Sequence, residues 1–227
     1  MLCDIWGTSY SGVLGTFITG TDTWDITYLR GPVKWTYYPL YTVLDIYSRY
    51  VVGWMIAEIE SSELARRLIA ESVRKQGIQR GQLTLHADNG SPMTGKPLAQ
   101  LLRDLGVTKS HSRPHTSDDN PFSEAHFKTM KYHPDYPDRF AGTVAARQWA
   151  RRFFGWYNHE HYHSGLNLLT PASVHYGQAA AIQQQRQTVL TAAYVAHPER
   201  FVRGLPLVKG APAAVYINPP LGMEKLA

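Results

Sequence analysis

Three acids are set apart by their surroundings. Asp25 lies in Trp24-Asp25-Ile26-Thr27-Tyr28-Leu29, Asp88 directly follows the short apolar run Leu83 to Ala87, and Glu124 comes three residues after Pro121. Carboxylates supply the oxygen ligands that magnesium prefers, an ion that keeps several waters and is held by a few carboxylates plus substrate phosphate. Two such ions about 3.5–4 Å apart can activate an attacking oxygen and stabilise the leaving one during in-line displacement at phosphorus. That chemistry rests on positioning and charge neutralisation and needs no side-chain nucleophile. Its demands agree with the absence of a convincing Ser-His-Asp or Cys-His set. Taken singly, each acid is equally well an ordinary surface carboxylate; the argument rests on the three together.

The elements that must position them follow from periodicity. Residues 1–21, small and without a clear period, are expected to be a poorly structured leader. Trp24 to Leu29 alternates and is rich in β-formers, and Tyr37 to Ile46 and Tyr50 to Ile59, joined at Tyr47-Ser48-Arg49, read as two further strands of an antiparallel meander. Ser61 or Ser62 caps a helix in which Leu64, Leu68, Ile69 and Val73 share a face, and Gly77 ends it. Leu83 to Ala87 suits a buried strand, Pro97 to Leu105 a second helix, Val107 to Ser112 a fifth strand and Pro114 to Asn120 a loop. A third helix begins near Pro121, where proline suits the first turn, and carries Glu124. An aromatic-rich helix from Thr143 to about His161, a short one capped by Thr170, and a Gln/Ala-rich one from about Gln178 to Val195 precede a Pro/Gly-rich tail.

Strand, strand, strand, helix, strand, helix, strand, then helices is the order of an α/β ribonuclease-H-like fold: a five-stranded mixed sheet flanked by helices, here with a helical C-terminal extension. The division expected is a leader over 1–21, a catalytic core over 22–177 and a helical, Pro-rich tail over 178–227. In this topology the first and fourth strands are neighbours and the helix after the fifth crosses near them. Asp25, Asp88 and Glu124 are thereby expected to converge, although 63 and 36 positions separate them in sequence.

Composition sets looser bounds. Of 227 residues, 44% are apolar and 18% charged, as in a folded globular protein. Lys plus Arg number 23 against 18 Asp plus Glu, a net charge of +5 that slightly favours a polyanionic partner. A single cysteine, Cys3, excludes an internal disulfide and a cysteine-based metal cage. No apolar run approaches the roughly 20 residues that span a bilayer, so the expected location is cytoplasmic, with no membrane partner.

The local motifs carry a resemblance. Trp24 to Leu29, Val43-Leu44-Asp45-Ile46-Tyr47-Ser48-Arg49 with Val52-Gly53-Trp54, and His86-Ala87-Asp88-Asn89-Gly90-Ser91 resemble the integrase core of insertion-sequence transposases of the OrfA/OrfB group, related to retroviral integrases. Ser112-Arg113-Pro114, Asp119-Asn120-Pro121, Ser123-Glu124, Phe127 to Tyr132, Trp156-Tyr157-Asn158, His163-Ser164 and Leu169-Thr170-Pro171 continue it, over about residues 22–220. The thirty-five residues between Asp88 and Glu124 match the Asp-Asp-thirty-five-Glu signature of that family. The resemblance implies metal-dependent cleavage and strand transfer of DNA by two magnesium ions, with manganese as a substitute. It gives Asp25 to both metals, Asp88 to one and Glu124 to the other, and implies association with the bacterial nucleoid. It also implies element ends and target DNA as partners, and a homo-oligomer on DNA. About two dozen residues before the first strand leave no room for a helix-turn-helix, so the chain is expected to work with a separate OrfA-type DNA-binding protein, or to be a fragment or a decayed copy.

Other residues receive weaker assignments. Lys128 and Lys131 share a helical side with Glu124 and are expected on phosphates of the bound end, the plain alternative being a solvated face. Asn89 and Gly90 are expected beside DNA, or simply in a turn. Asn158 and His163 match the family's region near the site and are expected to contact DNA. Asp45 is read as a structural position, Asp118 and Asp119 as turn and cap residues, and Trp149, Phe153, Trp156 and Tyr157 as core. Alternation of His159, His161 and His163 splays them apart on a helix and argues against a metal site there. The rival readings are a ribonuclease-H-like nuclease, which would cut without joining, and a non-catalytic DNA-binding remnant.

Overall fold

The computed structural model describes residues 20–88, 96–111 and 120–217. Five strands, β1 (Gly20–Arg30), β2 (Tyr37–Asp45), β3 (Val51–Ile56), β4 (Leu83–Ala87) and β5 (Thr108–His111), form one mixed sheet in the order β3-β2-β1-β4-β5. β1, β2 and β3 are an antiparallel meander; β4 and β5 join β1 in parallel. The helices are α1 (Ser62–Lys75), α2 (Lys96–Leu105), α3 (Pro121–Lys131), α4 (Thr143–His159), α5 (Pro171–His175) and α6 (Ala179–Ala196).

The two sheet faces carry separate cores. Trp24, Tyr41, Val43 and Val52 pack with Leu68, Ile69 and Val73 of α1 and Leu98 and Leu102 of α2. Gly53 makes the approach of α1 possible, since a Cβ there would lie 2.2 Å from Ser72 Oγ. On the other face Leu29, Leu40, Leu44 and Trp54 meet Phe127 and Met130 of α3 and Trp149, Phe153, Phe154 and Tyr157 of α4. Three of the four aromatics expected in the core, Trp149, Phe153 and Tyr157, are buried, and Trp156 packs partly buried against them. Burying side chains of this size contributes roughly 1.5–3 kcal/mol each, so α3 and α4 are held firmly against β1 and β2.

One boundary differs from expectation. β1 begins at Gly20, four residues before Trp24, and Gly20 and Thr21, assigned above to the leader, pair with Leu83 and Thr84 of β4. Thr23 is fully buried through side-chain hydrogen bonds and Asp22 is buried opposite Asp45, so the polar types that hid the strand are used in its packing. The rest of the expected leader lies outside the described residues.

α6 has no fully buried residue. It leans on a small cluster of Leu166, Leu169 and Val174 through Ala179 and Ile182. Its glutamines hold the returning chain: Gln187 accepts from Val208 N (2.9 Å) and donates to Pro206 O (2.9 Å), and Gln183 donates to Val208 O (3.0 Å).

Candidate active site

β4 ends at Ala87, paired with Trp24, so Asp25 and Asp88 are the next residues along two adjacent parallel strands. β1 continues beyond that point against β2, with Asp25 opposite Thr42. Asp25 therefore sits where one neighbour strand has stopped and the other has not.

Glu124 is delivered by a clamp at the start of α3. Thr23, two residues before Asp25 and on the same strand face, donates from Oγ1 to Asn120 Oδ1 (2.6 Å), and its oxygen lies 3.3 Å from Ser123 Oγ. Thr23, Asn120 and Ser123 are all buried. Pro121 supplies a helical φ without needing a hydrogen-bond acceptor, and Ser123, Phe127 and Met130 turn inward. Glu124 is consequently exposed beside β1, with Lys128 and Lys131 exposed one and two turns on.

Electrostatics joins these groups. The Asp25 carboxyl is pushed up to about 7, first by burial and then by the charges of Asp88 and Glu124, against the opposing Ile26 N–H (2.7 Å to Oδ1) and the Lys131 ammonium. Lys131 is itself pulled below its ordinary range, chiefly by desolvation, while the Asp25 charge works the other way. The charges of Asp88, Glu124 and Lys131 thus all bear on Asp25. Among the described residues no three His, Cys, Asp or Glu side chains stand close enough, as placed, to cage a metal ion. The donor set nonetheless suits a hard cation: it is all oxygen, and it includes a buried carboxylate whose charge is disfavoured by its neighbours.

Known proteins carry the same frame. Two family descriptions, both reading integrase core domain, match residues 19–117 and 105–171, overlapping stretches that together run over the described sheet and helices α1 to α4. The chain belongs to the integrase core family. The transposase for insertion sequence element IS904 of Lactococcus lactis subsp. lactis (strain IL1403) is 30% identical over 148 residues, 65% of this chain and 57% of that relative. The chain thus spans little more than half the length of that transposase. Among solved structures, a chain of the simian T-cell lymphotropic virus intasome in complex with PP2A regulatory subunit B56 gamma superposes with a TM-score of 0.55, at 19% identity, covering 71% of this chain and 55% of that one. The HTLV-2 integrase catalytic core domain in complex with magnesium, in its dimeric form, gives 0.51 at 14% identity, covering 71% and 99%. At these identities the likeness is one of fold: the five-stranded mixed sheet flanked by helices.

Within this integrase core, the remaining assigned residues have different fates. Asn89 and Gly90 lie outside the described residues, as do Asp118 and Asp119. Asn158 is buried on α4, accepts from Val51 N (2.9 Å) and donates to Val51 O (3.1 Å). It ties α4 to β3 like an extra strand residue, which corrects its placement on DNA. His163 lies beyond α4, where its Nδ1 accepts from Gly165 N (3.0 Å) and caps a short 3-10 turn, Ser164–Leu166. Burial, with Arg49 and His161 nearby, holds it down to about 4, so it is neutral there.

Two functional-looking groups escaped the sequence. Asp45 accepts from Tyr47 N (3.0 Å), is bonded by Ser48 Oγ, and lies 3.3 Å from His175 Nδ1, whose Nε2 is 3.0 Å from Gln76 Oε1. Tyr50 stacks on the His175 ring at 4.3 Å. Burial would raise Asp45, but the hydrogen bonds from His175 and Ser48 bring it below its ordinary value; Asp22, buried and facing Asp45, is raised well above it. The second is His126 of α3, fully buried, with neither ring nitrogen hydrogen-bonded and burial holding it down to about 3. Only the identity of Asp45 was legible in sequence; its partners come from as far as 130 positions away.

Proposed function

We propose that this integrase core is the catalytic part of an insertion-sequence transposase that cuts DNA and joins the ends to a target, with Asp25, Asp88 and Glu124 as its metal-holding acids. The observation that carries the proposal is the charge of Asp88, at the end of β4, and of Glu124, in the first turn of α3, bearing on the largely buried Asp25 of β1, whose carboxyl is pushed up to about 7. A set of like charges held together by the fold is costly until a cation offsets it. The HTLV-2 core, which shares this fold and was solved in complex with magnesium, supports the same cation class. Two ions, with manganese able to replace magnesium, are proposed here. Bound there, they would supply activation of the attacking oxygen and neutralisation of charge at phosphorus.

The chain's own residues supply position and charge. The Thr23–Asn120–Ser123 clamp fixes the first turn of α3, and with it Glu124, against the strand that carries Asp25. Lys131 and Lys128 present cations along the same exposed helical side, suited to the phosphates of a bound end. Lys131 also offsets the Asp25 charge. No histidine or hydroxyl is needed as nucleophile.

Element ends and target DNA are the proposed substrates, and a homo-oligomer that pairs two ends is the proposed working form. An OrfA-type helix-turn-helix protein is the proposed source of end recognition, and the nucleoid the proposed location. No helix among the described residues is long and apolar enough to cross a membrane.

The test is cleavage and joining of labelled DNA carrying the element's ends, with magnesium, in the presence and absence of the OrfA-type protein, for the native chain and Glu124→Gln. Joined products that vanish with Glu124→Gln are expected. Cleavage without joining would reassign the chain to a ribonuclease-H-like nuclease, and DNA binding with no cutting would make it a non-catalytic remnant.

A further inference from the structure

The tip of the β1–β2 hairpin is built in a way that packing does not explain. Trp35 is 75% exposed yet held at φ 71, a backbone region that bulky residues rarely adopt. Val33 beside it is also exposed, and Lys34 Nζ lies 5.1 Å from the Trp35 ring centroid. The loop is nevertheless well fastened. Gly31 N donates to Thr36 O (2.8 Å), Thr36 Oγ1 donates to Val33 O (2.6 Å), and Arg139 Nη1 donates to Gly31 O (3.1 Å) and Val33 O (3.2 Å). A large aromatic displayed to solvent by a strained, anchored loop is a feature that function maintains, because folding alone would favour glycine there.

Position and charge indicate what it meets. The hairpin extends β1 away from Asp25, and Phe140 N donating to Arg30 O (2.9 Å) seats it on the loop that follows α3. Lys131 lies within electrostatic reach of Arg30 at the hairpin's base, Arg139 is bonded to the hairpin's own carbonyls, and Lys34 sits at its tip. Lys131 feels both Asp25 at one end and Arg30 at the other. Against them stands Asp138, paired with Arg30 (2.9 Å) and within 4.0 Å of Arg139; both partners of the first pair are mostly exposed, so salt or a phosphate can displace it.

We infer that the Lys34–Trp35 hairpin tip is a DNA-contacting element, in which Trp35 stacks on a base or sugar of the strand leaving the acidic site and Lys34 meets its backbone. This deepens the DNA reading above and rests on it. Base–aromatic stacking is tolerant of sequence because every base has a π-face, and neighbouring cations add an electrostatic contribution.

The experiment is equilibrium binding of the whole chain to a labelled duplex with a single-stranded end, over a range of salt, alongside thermal unfolding and measurement of oligomeric mass. Trp35→Gly is expected to weaken binding about 10-fold with an unchanged salt slope, while Tm rises by roughly 2–4 °C as the φ strain is relieved. Trp35→Phe is expected to stay near native affinity. Lys34→Ala, which leaves the backbone at position 35 alone, is expected to lower the slope of log K against log salt by about one, and it keeps the test decisive if Trp35→Gly loses its fold. Native affinity in both Trp35→Gly and Lys34→Ala overturns the inference. So does a changed oligomeric mass at unchanged DNA affinity, which would give the tip to a second copy. Native chain that binds no duplex at any salt defeats the DNA reading itself, whereas native binding with indifferent hairpin variants removes only the hairpin.

Discussion

Two acidic clusters share β1 and its neighbours and are built on opposite terms. Around Asp45 the fold answers the charge: Ser48, Tyr47 N–H and His175 converge on one carboxylate, Tyr50 covers the imidazole, and Asp22 opposite is raised so that its neutral form is favoured. Around Asp25 burial, and after it the charges of Asp88 and Glu124, raise the carboxyl to about 7 against the Ile26 N–H and the Lys131 ammonium. The first arrangement ties β2 to α5 and to the end of α1. The second gathers negative charge where β4 ends beside the middle of β1, next to an exposed helix face. Buried charge is compensated internally where it is structural and from outside where it is functional.

The difference can be broken from either side. The largest effect expected is from His175→Ala, which removes the partner of Asp45 while leaving its carboxylate in place: unfolding in urea should show a loss of about 3 kcal/mol. Asp25→Asn should do the reverse and stabilise the metal-free chain by about 1–2 kcal/mol at pH 8. A stability loss in that variant would mean that Asp25 is a structural acid like Asp45.

The sign extends to pH. Asp25 keeps its proton up to about 7 in the folded chain, whereas in an unfolded chain it ionises near 4. Folding therefore retains a proton across that window, and the contribution of Asp25 to stability falls as pH rises from about 4 to 7. Asp45, lowered in the fold, contributes in the opposite sense, its support being present above about 4 and lost as pH falls. Stability measured against pH for native and Asp25→Asn should differ by a slope confined to that window.

A smaller effect is expected at the clamp. Thr23→Val keeps the shape of the side chain but strands Asn120 Oδ1 and Ser123 Oγ, at a cost of about 1–2 kcal/mol, and Thr23→Ser should restore most of it. Because the clamp sets Glu124 against Asp25, Thr23→Val should lower strand cleavage more than its stability loss accounts for at a temperature where the variant is fully folded.

The same contrast explains what could be read in advance. The placement of Asp25 and Asp88 on adjacent strands, and of Glu124 in the first turn of α3, was legible because each follows a local signal: a strand alternation, a bounded apolar run and a proline at a helix start. The start of β1 was not, since Gly20 to Thr23 carry no apolar alternation and Thr23 is buried through hydrogen bonds to residues about 100 positions away. Asn158 misled for a related reason: an amide that clamps a backbone looks, in sequence, like one that awaits a ligand. The Asp45–His175–Gln76 set had no local trace at all, because its members come from three elements that meet only in the fold. Trp35 was legible as a residue but not as an exposed one held at positive φ.

The most direct test of the central claim is manganese binding to the native chain, Asp25→Asn and Glu124→Gln, followed by calorimetry in the absence of DNA. The account predicts measurable binding by the native chain, weakened at least about 10-fold in each variant, with Asp25→Asn the more stable of the two when metal is absent. Equal affinity in all three would contradict it and leave the Asp25 cluster without its cation.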